Sequence, residues 1–398
     1  MGLPKVSITV ENGQLGLTPG SADQVAGIVM TGVATGSIAL AESKQIFSTK
    51  DAEDLGLDAA YDTTNTTNVY KTIKDFYAQA GQGKELWIMI VAKTTLMAGM
   101  CDTANQILKK LLNDAQGRIR IVGVTRVPDG AYSPVYADQL DPDVIAAAAK
   151  AHELSNEFRA LFKPFRTVID GRDFQGTLGS ILDLRASAYN TVSVALGTDV
   201  SGSDNAAVGL VVGRLAAIPV QRNIGRVKDG DLGIQTAFLT GQTQDIKDIA
   251  LASLDALHDK GYIFPRKFQG KNGYYFNDDP TASPATDEFS SFARGRVIDK
   301  ALTLAYVTYV DEILDDLQVD TVTGRIAAGV IKDYQAKIKS VLDLEMTAND
   351  EVSGVTVTID PKQNVLSTNK VEVTVKIVPK FYSKEIAVTL GFENPSNA

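Results

Sequence analysis

The residues with types suited to chemistry are few. Asp170-Gly171-Arg172-Asp173 closes the apolar run FRTVID (165–170), and the carboxyl ends of strands in α/β sheets are where active-site acids usually sit. Two carboxylates there could divide general acid and base roles. A turn closed by its own ion pair is the simpler reading. His152 and His258 have no H-x-x-x-H or cysteine neighbour that would make a zinc ligand set, and His258, in the last turn of a helical pattern, suits the helix macrodipole. Cys101 follows LMAGM and reads as a small apolar group. A nucleophilic thiol would need an electropositive setting. Gly81-Gln82-Gly83-Lys84 suggests a phosphate loop but fails the spacing, because Ala78 stands where the first glycine belongs and Glu85 where Ser or Thr belongs. The run Asp311-Glu312, Asp315-Asp316 reads as a solvated helix end. No G-x-S-x-G, H-E-x-x-H or EF-hand loop occurs.

The elements that must carry these residues alternate from about 23 to 240. Continuous apolar runs at 25–33, 86–92, 119–125, 165–170 and 191–196 predict buried strands. Between them lie helical patterns: Val69, Ile73, Phe76, Tyr77 in one, and Ala104, Ile107, Leu108, Leu111 in another. A longer helix starts at the capping Asp141 with Pro142 at its first position, presenting Ala147, Ala151, Leu154, Phe158 and Leu161. Such alternation predicts an α/β layer with a mainly parallel sheet. A helix over 244–260 follows, with Ile246, Ile249, Ala250, Ser253, Leu254 and Leu257 inward. Gly261 then stops it. Aromatics and glycines from Tyr262 to Phe276 read as two short strands around Gly270-Lys271-Asn272-Gly273. Next comes a long helix with Ile298, Leu302, Ala305, Tyr309 and Ile313 on one face, and another over 325–345 with Ile326, Val330, Tyr334, Ile338 and Val341. VTVTID (355–360), VEVTVKIV (371–378) and EIAVTLGF (385–392) all alternate, with Pro379 between the second and third.

The chain has 398 residues, 44% hydrophobic and 22% charged, with a formal net charge of −9. That is ordinary globular usage, enough for two or three domains. The acidic balance argues against a nucleic-acid binder. No apolar run reaches the length of a membrane span, MGLPKVSITVENG lacks a signal-peptide pattern, and one cysteine excludes an intrachain disulfide. The expectation is a soluble protein held in cytosol-like conditions.

Amphipathic strands stand near both ends of the sequence. Val6, Ile8 and Val10 alternate with Lys5, Ser7 and Thr9, and ENGQLGLTPGSADQ beyond them reads as a linker that could span roughly 45–50 Å. Ile386, Val388, Leu390 and Phe392 line one side of the last run. A lone strand cannot pair its backbone groups, so each must join a sheet. That sheet belongs either to its own chain or to a neighbouring subunit.

A helix ending in Lys-Gly, a hairpin with GKNGYYFNDD and a helix carrying RGRVIDKA (within 261–302) closely resemble the core of contractile-tail sheath proteins, the outer sleeve of phage tails and related injection machines. VYKTIKDFYAQAGQGKELWIMIV (69–91), VGRLAAIPVQRNIGRV (212–227) and VEVTVKIVPKFYSKEIAVTLGFEN (371–394) resemble further family segments in the right order. The resemblance implies an α/β plus α+β fold: an arm at 1–22, an α/β domain at 23–240, a C-terminal α+β sheath core domain at 241–380 and an arm at 381–398. It implies a structural protein and not an enzyme, with no cofactor. It would polymerise helically around an inner tail tube and contract to drive that tube through a target envelope. Sheath subunits are known for interwoven terminal arms, which favours strand addition between copies. From sequence alone a solvent-facing helix face is the simpler reading of Arg325, Lys332, Lys337 and Lys339, while the resemblance implies contact with the tube through a charged patch of the core domain, which points to the same four residues. Implied partners are other copies, the tube, baseplate and tail terminator proteins, with no nucleic acid and no membrane insertion. The place would be a virion or particle tail, assembled in the bacterial cytoplasm. The alternatives from the residues alone are an α/β enzyme at Asp170 and Asp173 and an oligomeric binding module.

Overall fold

The computed structural model describes residues 22–321 and 323–392. They form two compact units, one up to Ile313 and one from Leu314. The first is built on a seven-stranded sheet. Its members are β1 (Ala26–Gly32), β2 (Ser43–Ile46), β3 (Leu86–Ala92), β4 (Ile121–Thr125), β5 (Arg166–Asp170) and β6 (Val192–Ala195), together with a late strand at Tyr262–Ile263. The pairs β7 (Gly197–Thr198) with β8 (Phe238–Leu239), and β10 (Pro265–Arg266) with β11 (Tyr275–Phe276), are small separate ladders, so the late strand is β9. The sheet order is β2-β3-β1-β4-β5-β6-β9, parallel throughout except for β2 at one edge.

Each predicted buried strand is present within a residue or two of its expected bounds. β1, β4, β5 and β6 are buried along their whole length, which is why they read as unbroken apolar runs. The helix Val69–Ala80 buries Val69, Ile73, Phe76 and Tyr77 as expected. It lies against helix Val208–Ala217, where Gly209 and Gly213 let the two backbones touch: a Cβ at Gly209 would stand 2.2 Å from the carbonyl oxygen of Thr72, and one at Gly213 2.4 Å from that of Phe76. Asp141 caps helix Pro142–Ala160 by accepting from the Asp143 amide at 2.9 Å. Ala147, Ala151, Leu154 and Phe158 are buried, but Leu161 falls past the helix end and is 55% exposed.

Two expectations are corrected. The helix expected over 244–260 spans only Leu251–Asp259, and Ile246 sits in a separate 3-10 turn. On helix Phe292–Val310 the buried set is Phe292, Ala293, Gly295, Arg296, Val297, Asp299 and Ala301, while Ile313 is 66% exposed. Buried Arg296 and Asp299 rotate the helix away from its apparent apolar face. The first compact unit runs on past residue 240, where β9 pairs with β6 at the sheet edge and Arg166 of β5 holds Asp299 of the long helix.

The second unit is a helix under a hairpin. Ile331, Tyr334, Ile338 and Leu342 of helix Ala328–Leu342 are buried, and the helix runs into a π-helical turn at Asp343–Thr347. β12 (Val352–Ile359) pairs antiparallel with β13 (Val373–Pro379). These two strands make the whole of that sheet among the described residues.

Candidate functional site

The strand order reverses between β1 and β4, so the carboxyl ends of β1, β4 and β5 border the crevice where α/β proteins commonly bind ligands. Here that place is filled with paired charge. Asp170 is 0% exposed. Its carboxylate accepts from Thr125 Oγ1, Asn205 Nδ2 and the Ala206 amide, each at 2.7 Å. Burial pushes its carboxyl up to about 6, against the pull of those donors and of Arg172. Asp141 pairs with Arg172 and accepts from Tyr132 Oη at 2.8 Å. Asp143 accepts from the amides of Met97 and Ala98 at 2.7 and 2.9 Å and faces Arg126 at 3.6 Å. The Arg126 guanidinium lies 3.8 Å above the Tyr132 ring. Asp173 is apart from this group, in a left-handed turn (φ 58°), accepting from Tyr136 Oη at 2.7 Å. The two aspartates therefore do not converge, and Asp170 reaches no solute.

The other chemistry-bearing residues are likewise absorbed into packing. His152 bonds Thr191 at 2.8 Å and Asn156 at 3.0 Å, and burial holds its imidazole below the usual range. His258 bonds Asn277 at 3.1 Å. Cys101 is buried, which pushes its thiol up. Gly81 ends a helix, and Lys84 donates to Gln24 Oε1 at 2.7 Å. Among the described residues no group of three or more His, Cys, Asp or Glu could hold a metal ion. No helix there is long and apolar enough to cross a membrane.

What converges instead is the set of distinctive segments. Asn277 fastens the hairpin, accepting from the Phe264 amide at 2.9 Å and donating to Tyr262 O at 3.0 Å. Asp279 caps the long helix from outside it, accepting from the Ala293 amide and Ser291 Oγ, both at 2.8 Å. Asn223 of the 212–227 segment donates to Asp278 and Asp279 at 2.5 and 2.8 Å. One turn into the helix, a Cβ on Gly295 would sit 1.7 Å from Cζ of Arg166. Glycine is needed there because the guanidinium lies on the helix backbone. Arg166 Nε donates to Asp299 at 2.7 Å and Nη1 to Asn190 O at 2.8 Å, and Arg159 holds the other Asp299 oxygen at 2.5 Å. Sequence reading named the motif but not these roles, since Asp279 lies too far before the helix to look like a cap.

A third region is unsatisfied. Each strand of the β12–β13 hairpin has an edge with no strand partner among the described residues. The inward row of β13 (Val373, Val375, Ile377) is only half-buried. Beyond it Ile386, Val388, Leu390 and Phe392 are 80%, 72%, 90% and 110% exposed, and residues 380–392 belong to no strand. Val6, Ile8 and Val10 lie outside the described residues. Of the four basic residues singled out, Lys337 pairs with Asp333 at 2.8 Å and Lys339 with Asp343 at 2.5 Å. Arg325 and Lys332 are exposed.

A family model described as the DUF2586 N-terminal domain matches residues 3–280, and one described as the DUF2586 C-terminal domain matches residues 288–397. This chain belongs to the DUF2586 family. Its two models meet between 280 and 288, in the loop between the hairpin and the long helix. No curated protein matches the chain. Among solved structures, this DUF2586 chain is similar to the helical sheath of the anti-feeding prophage in its contracted state, at 12% identity over 99% of this chain and 100% of that one, with a TM-score of 0.64. It is similar to the contracted PVC sheath complex of an extracellular contractile injection system, at 11% identity over 100% and 99% of the two chains, TM-score 0.60. A sheath tail protein from Desulfitobacterium hafniense matches at 10% identity over 94% and 100%, TM-score 0.51. The DUF2586 chain thus has the fold of contractile sheath proteins.

Proposed function

We propose that this chain is the structural subunit of a contractile tail sheath, polymerising helically around an inner tube and contracting to drive it through a target envelope. The observation that carries the reading is an incomplete sheet together with an exposed alternating segment that belongs to no strand. A hairpin with two open edges stands in the same unit as an alternating row at 386–392 that is 72–110% exposed. Two-stranded sheets are marginal alone, and an extended segment of another copy adds backbone hydrogen bonds and fills alternate side-chain pockets. The second arm at 1–22, through Val6, Ile8 and Val10, would do the same for a different neighbour, and contacts of this head-to-tail kind build filaments when the rotation does not close. Full-length likeness to sheath subunits in contracted assemblies supports the same reading. The drive for contraction is repacking between subunits, without a nucleotide, with the arms as hinges.

The partners on this reading are other copies of the chain, the tube, a baseplate and a tail terminator, in a phage-like or extracellular particle assembled in the bacterial cytoplasm. Arg325 and Lys332 are the better tube contacts, because Lys337 and Lys339 already meet carboxylates on their own helix. Such contacts are individually weak and salt-sensitive, as a sleeve that must slide requires. Electron microscopy of the purified chain tests the assembly: tubes or rings are expected, and deletion of 381–398 or of 1–22 abolishes them while leaving a folded subunit. A monodisperse monomer at high concentration overturns the reading.

A further inference from the structure

We propose that Asp23, Arg296 and Lys300 form a clamp that sets the root of the N-terminal stretch, so that a pull on that stretch reaches the central sheet and the long helix together. This rests on the sheath reading above, in which that stretch carries load between subunits. Residues Ala22–Gln24 are a single 3-10 turn just ahead of β1. The Asp23 carboxylate lies 3.1 Å from Lys300 Nζ, with the side chains only 19% and 10% exposed. Arg296, 4% exposed, donates through Nη2 to Asp23 O at 3.2 Å and to Ile218 O at 3.4 Å. Gln24 is held by Lys84 at 2.7 Å. Val25 O accepts from the amides of Arg120 and Ile121 at 2.9 and 3.3 Å.

Three consecutive residues are thus bonded to the long helix, to the approaches of β3 and β4, and, through Arg296, to the segment after helix Val208–Ala217. Entering a sheet requires only that backbone groups be paired. It does not require a nearly buried ion pair on the residue two before the strand's last free position. Removing water from Lys300 is unfavourable unless the carboxylate stays in place, so the pair acts as a stop rather than a loose tether. The load path is continuous. Lys300 follows Asp299, which grips Arg166 of β5, while Val25 leads into β1 between β3 and β4. Lys300 and Arg296 are positioning residues on this view, and the RGRVIDK segment serves both the helix–sheet junction and the arm root.

The test uses the full-length chain with Asp23→Ala, Lys300→Met and the charge swap Asp23→Lys with Lys300→Asp. Amide hydrogen exchange of residues 23–26 is read on unpolymerised protein, with Leu86–Ala92 as internal reference, and tube length is measured after passage through a fixed capillary. Exchange at 23–26 should rise about tenfold in the single variants with the reference unchanged. Sheared tubes should be shorter than wild-type tubes when each is sheared at the same interval below its own melting temperature, and the swap should restore both exchange and length. Unchanged exchange and sheared length in a folded Asp23→Ala overturns the clamp, and this variant decides if Lys300→Met does not fold. Wild-type chain that makes no tubes overturns the sheath reading instead, and tubes of normal length after removal of 1–22 overturn the N-terminal arm within it, while the exchange measurement still decides the clamp.

Discussion

The crevice at the ends of β4 and β5 and the hairpin unit after Leu314 are opposites. In the first, charged side chains crowd the position where α/β enzymes hold substrate, yet each aspartate is met by donors or by an arginine. In the second, the ion pairs are exposed ones such as Lys339–Asp343 and Lys370–Glu372, and two sheet edges have no strand partner among the described residues, where a row of apolar side chains is also exposed. A buried network in which every carboxylate is met specifies a rigid body, even though Arg126 Nε and Nη1 and Arg172 Nε have no hydrogen-bond partner among the described residues. An unsatisfied edge is a template for another chain. Function is therefore sought where bonding is unfinished, and the contrast can be broken at either end.

The largest effect is expected at the open end. Val388→Asp with Leu390→Asp places charge on the exposed row, and tube formation should be lost entirely while the unfolding midpoint of the subunit shifts by no more than a typical surface change, about 0.5 kcal/mol. Sedimentation with chemical denaturation reads both. Assembly that persists at normal length would mean the row stays unused in the sleeve. Second comes Asp299→Ala, which strands Arg166, its side chain 1% exposed, and also frees Arg159. Removing one member of a buried pair costs about 3–5 kcal/mol. The loss should appear in urea denaturation of the subunit, before any question of assembly. A variant as stable as wild type would mean that the long helix is held by its apolar contacts alone.

The same contrast explains what could be read in advance. The central strands were legible because burial on both faces leaves one unbroken apolar run per strand. β2, with the sequence Ser43-Lys44-Gln45-Ile46, carries too little pattern to be seen, and the two-residue β9 lay within the first strand read for the 262–276 hairpin, with nothing local to say that it joins the central sheet. The face of helix Phe292–Val310 was misread because pattern reading sends charge outward. Arg296 and Asp299 turn inward to partners far back in the chain, Asp23, Arg159, Arg166 and Ile218, and no local rule reports them. Asp279 escaped notice as a cap for the same reason. The row Ile386 to Phe392 was plain from alternation alone, as was the need for a sheet to receive it. On the sheath reading proposed above, the sheet it joins belongs to another copy of the chain.

The smallest effects separate two carboxylates that sequence reading had placed in one site. Asp170→Asn turns amide hydrogens toward the Asn205 and Ala206 donors, so about 1–3 kcal/mol of stability should be lost. The wild-type group also has a pH signature. Its carboxyl titrates near 6 when folded and near 4 when unfolded, so the folded state binds the extra proton between these values. The contribution is complete below about pH 4 and is lost as pH rises through about 6. Denaturation midpoints across that window should be flatter in Asp170→Asn, with the remaining slope carried partly by Asp75, which burial also pushes up to about 6. A variant with the full wild-type slope would assign that titration elsewhere. Asp173→Asn, three residues on, keeps an acceptor for Tyr136 at a surface turn and should change stability by less than about 0.5 kcal/mol. If it proved as costly as Asp170→Asn, the turn would belong to the buried network after all, and the line between finished and unfinished bonding would have to be redrawn at Gly171.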